Sequence, residues 1–314
     1  MSNVTSALTA YVDQTSTDLL TPAIMGGVTA SIVNVQAGIK SSAALQKFTT
    51  TVTFQDDDCA FNASDTTSWS QRNLSVNDIK IQEVLCQKDL EAFWTQTLLT
   101  PGSEITEADV PEIYMNYKME AVQREIELAI WGGEDGVAAG NLAFSDGFLM
   151  KIDGDGQGVT VNGNPDDILE STGIVAANVH DIFQKQYELI PTGVMGKKDV
   201  YSFCGWDTFR TLLIALTDAN LFNYTTDGAS EKGFITLPGL GLKIQAVEGL
   251  TGTNRIITGS ASNFYVGTDL LNDMEVLHLW LADDRRNVRS DISFKLGTEI
   301  AYLEEVVDFR LYPS

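Results

Sequence analysis

Five apolar residues, Met115, Met119, Val122, Ile126 and Ile130, recur at spacings of three and four between positions 109 and 131. On a 3.6-residue turn that spacing draws one apolar stripe, so the segment predicts a single long amphipathic helix. Asp109 with Glu112 three residues on forms a capping-box pattern, Pro111 suits the first turn, and Gly132 and Gly133 stop the run. About 23 residues at about 1.5 Å each make a rod of roughly 34 Å, about twice the usual helix. Burying one side of such a rod needs a long body, so it predicts the backbone of an elongated domain.

The elements around it are shorter. Residues 1–44 are rich in Ala, Thr, Ser and Val, with Lys40 their only basic residue and no strong amphipathic stripe. They predict an arm that packs on something else and is poorly ordered alone. "FTTTVTF" and "DIKIQEVL" alternate apolar and polar residues and read as two strands, with a long stretch of Asp, Asn, Ser and Thr between them. Together they predict an extended hairpin over residues 45–80. "STGIVAANVHDIFQKQYELIP" places Ile174, Val175, Val179, Ile182, Phe183 and Tyr187 on a helical period, and "GWDTFRTLLIALTDANLF" does so with Phe209, Leu212, Leu213 and Leu216. Strand-like pieces surround them: "VYSFCG", "GLKIQAVEGL" and "RIITGSASNFYVG", then "EVLHLWLA", "DISFKL" and "EIAYLEEVVDFRLY". No regular βαβ alternation is present, and the expected class is α+β.

Charge narrows the function. With 43 Asp+Glu against 20 Lys+Arg, the net charge of −23 argues against general nucleic-acid binding, which needs cations to displace counterions from phosphates. Cys59, Cys86 and Cys204 are an odd number and widely spaced, so the inference is a reducing compartment without a disulfide framework. "MSNVTSALTAYVDQTS" lacks a basic n-region and an apolar h-region, and no run approaches the length of a membrane span. The reading is a soluble protein made in a cytoplasm, with no membrane partner.

Few motifs carry chemistry. "DGDGQGVTVNGN" places Asp153, Asp155 and Gln157 at the spacing of a calcium loop, but Asn164 stands where the bidentate Glu belongs, and a Gly-rich turn between strands explains the same residues. Its glycines lack the GxGxxG spacing of a dinucleotide loop. His180 and His278 sit in no metal or triad spacing, and no GxSxG, Walker, HExxH or CxxC string occurs. Nothing calls for a cofactor, a metal or an enzyme activity. The unusual local feature is "WLADDRRNVRSD", which gathers Arg285, Arg286 and Arg289. Asp283, Asp284 and Asp291 flank them, three acids against three bases, so the stretch is locally neutral. A neutral cluster is a poor phosphate patch and a reasonable seat for ion pairs with a neighbour's carboxylates, Asp56, Asp57 and Asp58 being the first candidates.

In order, the parts are a small-residue arm, a projecting hairpin, a long helix, a mixed region and closing strands. That order resembles the major capsid proteins of tailed bacteriophages, the Hong Kong 97 type of fold. "YSFCGWDTFRTLLIALTDANLFNY" looks like the family's axial-domain helix, "ITLPGLGLKIQAVEGL" like the strand after it, and "SNFYVGTDLLNDMEVLHLWLADDRRNVRSDISFKLGTEIAYLEEVVDFRL" like its closing strands. The resemblance implies an N-terminal arm at 1–44, an extended loop at 45–80, and a peripheral domain at 81–163 whose spine helix is about 109–131. It further implies an axial domain at 164–270 and returning strands at 271–314. Its implied function is a structural shell subunit, self-assembling into pentamers and hexamers around double-stranded DNA in the virion after synthesis in a bacterial host. Implied partners are further copies, a portal protein, a separate scaffolding protein, and a decoration protein in some relatives. No lysine occurs between Thr49 and Asn77, so the loop-lysine crosslink of some relatives is not expected. Two alternatives are an encapsulin-type cellular nanocompartment and, from another class, a calcium-dependent binding module or hydrolase resting on Asp153 and Asp155.

Overall fold

The long stripe does organise the molecule. In the computed structural model, which describes residues 26–56, 63–86, 109–155, 160–163, 173–218, 233–237, 239–269, 276–281 and 287–310, a short helix α1 (Val28–Ile32) precedes helix α2 (Asp109–Gly132). Met119, Val122, Ile126 and Ile130 are all buried, as their spacing requires. The helix stops where two backbones touch. Gly133 N–H donates to Ala129, Gly147 N–H donates to Gly133 at 2.8 Å, and a Cβ on Gly147 would lie 2.7 Å from the Gly133 nitrogen. Only glycine allows that approach.

Two sheets flank the helix. The first orders β1 (Asn34–Gln36), β10 (Phe264–Gly267), β12 (Asn287–Ile300) and β11 (Val276–Leu281), with β4 (Asn77–Cys86) also paired to β12. Ile81 faces Ile292 and Ile79 faces Phe294 across the β4–β12 ladder, and this apolar side shares one core with Val122 and Ile126 of α2. The second sheet runs β5 (Thr160–Gly163), β13 (Val307–Arg310), β9 (Ile256–Ser260), β6 (Val200–Cys204), β8 (Lys243–Ala246) and β7 (Phe234–Thr236). Helices α4 (Val179–Leu189) and α6 (Trp206–Asp218) bury Ile182, Phe183, Phe209, Leu212 and Leu216 in its core. Two other helices, α3 (Phe148–Asp155) and α5 (Thr192–Met195), complete the set used below. Trp131 of α2 joins the two halves, with ring centroids 5.3 Å from Phe148 and 5.2 Å from Phe203, while Phe148 lies 5.2 Å from Phe264. The class is α+β, as expected.

Two expectations are corrected. The hairpin's second strand is not "DIKIQEVL": β2 (Ser42–Thr51) pairs with β3 (Thr66–Ser75), which lies inside the stretch read as a polar loop. "DIKIQEVL" is β4 and pairs with β12 in the body. The polar stretch conceals a strand because both of its faces are largely exposed, so no apolar alternation marks it.

Residues 26–41, the described part of the expected arm, pack on the body of the chain itself. Thr29 is buried on α2, where its N–H donates to the Glu127 carboxylate at 3.2 Å, its hydroxyl donates to the same carboxylate, and Trp131 Nε1 donates to that hydroxyl at 2.7 Å. β1 then adds parallel to β10. Finally, residues 153–155 form the last turn of α3 rather than a turn between strands.

Candidate subunit interface

The hairpin stands on a seat made by two glycines. Gly267 and Gly297 face each other across the β10–β12 ladder. A Cβ on Gly267 would meet Val76 at 2.9 Å and Ile39 and Leu74 at 3.1 Å; one on Gly297 would overlap the Ser75 carbonyl oxygen. The bare backbone at this pair lets Ile39, Leu74 and Val76 pack down as a small core of their own. Ion pairs then clamp the root. Arg72 donates to Glu299 Oε1 at 2.9 Å from Nε and 2.7 Å from Nη2, and Glu299 is buried. Lys47 pairs with Glu304 and lies 5.2 Å from the centroid of the Tyr302 ring. Burial raises the Glu304 carboxyl, but the Lys47 hydrogen bond and charge outweigh it and hold the group below its usual range.

Register decides what the hairpin shows to solvent. Directly opposed residues share a face, so Leu45 with Arg72 and Ala43 with Leu74 point toward the body. Phe48 opposes Trp69 on the other face, the two rings meeting edge to face at 4.5 Å. Trp69 is 73% exposed, and toward the tip Val52 is 62% and Phe54 97% exposed. Two large aromatics and their apolar neighbours on a polar, Thr-rich ribbon have no cover among the described residues. The hairpin strands are each ten residues long, roughly 30 Å; Phe48 and Trp69 lie just beyond the Lys47 clamp on the face turned from the body, and Val52 and Phe54 lie farther toward the tip. Asp56 is exposed near that tip; Asp57 and Asp58 lie outside the described residues.

The arginine stretch divides. Arg285 and Arg286 lie outside the described residues, and Arg289 sits on β12. It faces Trp280 of β11 on one side and Val84 of β4 on the other. Arg289 is exposed, with Trp280 at 40% and Val84 at 61%, and it makes no ion pair among the described residues. The structure does not join Arg289 to Asp56 within one chain. On the opposite face of this sheet, an open apolar groove of about 220 Å³ runs beside β4, lined by Ile79, Ile81, Val122, Ile126 and the half-exposed Phe144.

Asp153, the first residue of the calcium-like string, already has cationic partners. Arg255 grips it with Nη1 at 2.8 Å and Nη2 at 3.1 Å, and Arg310 Nη1 approaches at 3.0 Å. Both arginines also bind the fully buried Asp308. Two guanidinium groups therefore stand where a cation's charge would be. Asp155 ends α3, and Gln157 is outside the described residues. Among the described residues no group of three or more His, Cys, Asp or Glu is placed to hold a metal ion. This four-residue network was not visible in the sequence. Alternation along β13 puts Asp308 and Arg310 on one face, but Asp153 and Arg255 arrive from distant segments. Burial pushes the Cys204 thiol far up and leaves it unreactive. His180 Nε2 lies 3.0 Å from Gln184 on the same helix.

No protein-family model and no curated protein sequence matches the chain. Solved structures match it along nearly its whole length. A chain of the satellite phage P4 procapsid, described as including the size determination (Sid) protein, superposes with a TM-score of 0.60 at 11% identity, covering 95% of this chain and 98% of that one. A chain of the cyanophage A-1(L) capsid asymmetric unit gives 0.61 at 12% identity, with 94% of each chain covered. A virus-like particle from Pyrococcus furiosus gives 0.50 at 11% identity, covering 93% of this chain and 96% of that one. The fold is the Hong Kong 97 type of capsid fold.

Proposed function

We propose that the chain is the major capsid protein of a tailed bacteriophage, assembling into pentamers and hexamers of an icosahedral or prolate shell that encloses double-stranded DNA. The observation that carries this reading is the near-complete coverage in both directions with chains from phage capsids. On this reading residues 1–44 are the N-terminal arm, with 26–41 built into the body. The β2–β3 hairpin is the extended loop, 81–163 the peripheral domain with α2 as spine, 164–270 the axial domain, and 271–314 the returning strands. Packaged DNA is enclosed without sequence-specific binding, and the acidic surface lets it slide. A portal protein and a separate scaffolding protein are partners, and the shell exterior is where a decoration protein would sit.

Closing a shell takes heterologous contacts on several edges of one subunit. The uncovered Phe48–Trp69 face of the hairpin is one such edge, laid on a neighbour, with the apolar groove beside β4 as its receiving surface. Asp56, Asp57 and Asp58 pair with Arg285, Arg286 and Arg289 of an adjacent subunit. Negative-stain microscopy of the expressed chain, with and without its scaffolding partner, tests the reading. Closed shells or capsomer rings are expected, and a chain that stays monomeric in both preparations defeats it.

The likeness to the Pyrococcus furiosus particle supports a second reading, a cellular nanocompartment shell. Neighbouring genes separate the two: portal and terminase genes go with the first, a cargo-enzyme gene with the second. The calcium-module reading loses its support at Asp153, which is engaged by Arg255 and Arg310. Calorimetry with calcium is expected to give no binding heat.

A further inference from the structure

A hollow whose charged lining is all cationic is unexpected on a chain with 20 Lys+Arg against 43 Asp+Glu. One of about 360 Å³ lies at the margin of the six-stranded sheet, with Ile190, Val200 and Leu242 as its apolar wall and Lys197, Lys198 and Lys243 around it. None of its lining residues is acidic. Lys243 is held in place: its ammonium donates to the Lys198 carbonyl at 2.8 Å and lies 5.0 Å from the Tyr201 ring centroid. Lys197 reaches Glu305 at 2.8 Å. Lys198 is exposed and has no ion pair among the described residues. The acid next to it does not serve. Asp199 accepts from the Ser260 hydroxyl at 2.7 Å and from the Ser262 N–H at 3.1 Å, which fixes its carboxylate on that loop.

We infer that this pocket receives a carboxylate side chain from a second copy of the chain. Bringing two bodies of net charge −23 together costs free energy wherever acid meets acid. Contact is favoured where a neighbour's Asp or Glu meets uncompensated lysines, and this pocket offers them. Its apolar wall suits the methylene stem of an acidic side chain or an adjoining aliphatic residue. A nucleic acid fits less well: the two lysines without an acidic partner, Lys198 and Lys243, release few counterions, and the field of the whole chain repels a polyanion. The inference rests on the shell reading only in taking the occupant to be another copy.

The test is zero-length carbodiimide coupling on full-length protein assembled from a mixture of ¹⁵N-labelled and unlabelled copies, read by peptide mass spectrometry. Lysine acetylation is compared in the isolated and assembled states. The expected result is a light-to-heavy crosslink at Lys198 or Lys243, with both lysines losing reactivity on assembly. The Lys198→Glu variant should keep its thermal midpoint and lose assembly. Shells in which both lysines stay reactive and uncrosslinked overturn the inference and leave the shell reading standing. Protection by added duplex DNA, without an inter-copy crosslink, overturns it in favour of a nucleic-acid contact. A chain that never associates overturns both readings.

Discussion

Two single residues report on the joints of this molecule. Gly297 is one, because its missing side chain is where the hairpin backbone crosses β12. Gly297→Ala should cost about 1–3 kcal/mol, the range for forcing atoms into a packed site, and chemical denaturation should show it as a lower midpoint at unchanged slope. Gly38, whose left-handed backbone has open space around it, gives a contrasting case in which strain alone acts. Glu127 is the other. Burial, against the Thr29 hydrogen bonds, raises its carboxyl above the ordinary 4.5, and Glu248 adds to the rise. The folded chain therefore binds this proton more tightly than the unfolded chain does. Stability should fall as pH rises from about 4.5 through the raised value, and Glu127→Gln should flatten that part of the profile. Asp146 and Asp199 behave oppositely. For both, hydrogen bonds outweigh burial and hold the carboxyl below the ordinary 3.8, so their contribution is present above 3.8 and is lost as acid takes the pH below it. Thermal midpoints across pH 3 to 8 separate the two trends.

At the scale of elements, the hairpin is stabilised at its root and uncovered along its length. Replacing Phe48 and Trp69 together by serine should lower subunit stability by only about 1 kcal/mol, the range for a cross-strand aromatic pair, and should abolish assembly. Urea denaturation checks the first and sedimentation the second. The same element shows what the sequence could reveal. A helix with one buried side declares itself through spacing, and Met119, Val122, Ile126 and Ile130 are where the stripe puts them. β3 has no such signature: in "TTSWSQRNLS" only Leu74 is buried, so neither face writes a pattern. The partner of β4 was equally hidden, since β12 lies some two hundred residues on and nothing local specifies that pairing. Asp153 misled for a related reason. Its loop-like spacing is local, whereas Arg255 and Arg310, which engage it, are remote in the chain.

At the scale of the whole molecule, charge and shape act together. A strongly acidic chain would self-associate through defined cationic or apolar contacts, and among the described residues four surfaces suit that: the aromatic hairpin face, the apolar groove beside β4, the exposed Arg289 beside Trp280, and the lysine pocket. Charge reversal at Arg285 and Arg289 should leave the circular dichroism spectrum and thermal midpoint of the subunit unchanged and should prevent shells from closing. Normal shells from that variant would remove the arginine contact from the account. The fold class and the long helix were legible because a buried stripe is written in residue spacing; the surfaces proposed to join copies were not, because a surface has no periodicity.

The central claim is that this chain closes into a shell through its hairpin. Side-by-side negative-stain microscopy of the wild-type chain and the Phe48→Ser, Trp69→Ser variant, each expressed with the same scaffolding partner, tests it most directly. The account predicts closed shells of uniform diameter from the wild type and only free subunits or broken rings from the variant. Free subunits from both, or intact shells from both, would contradict it.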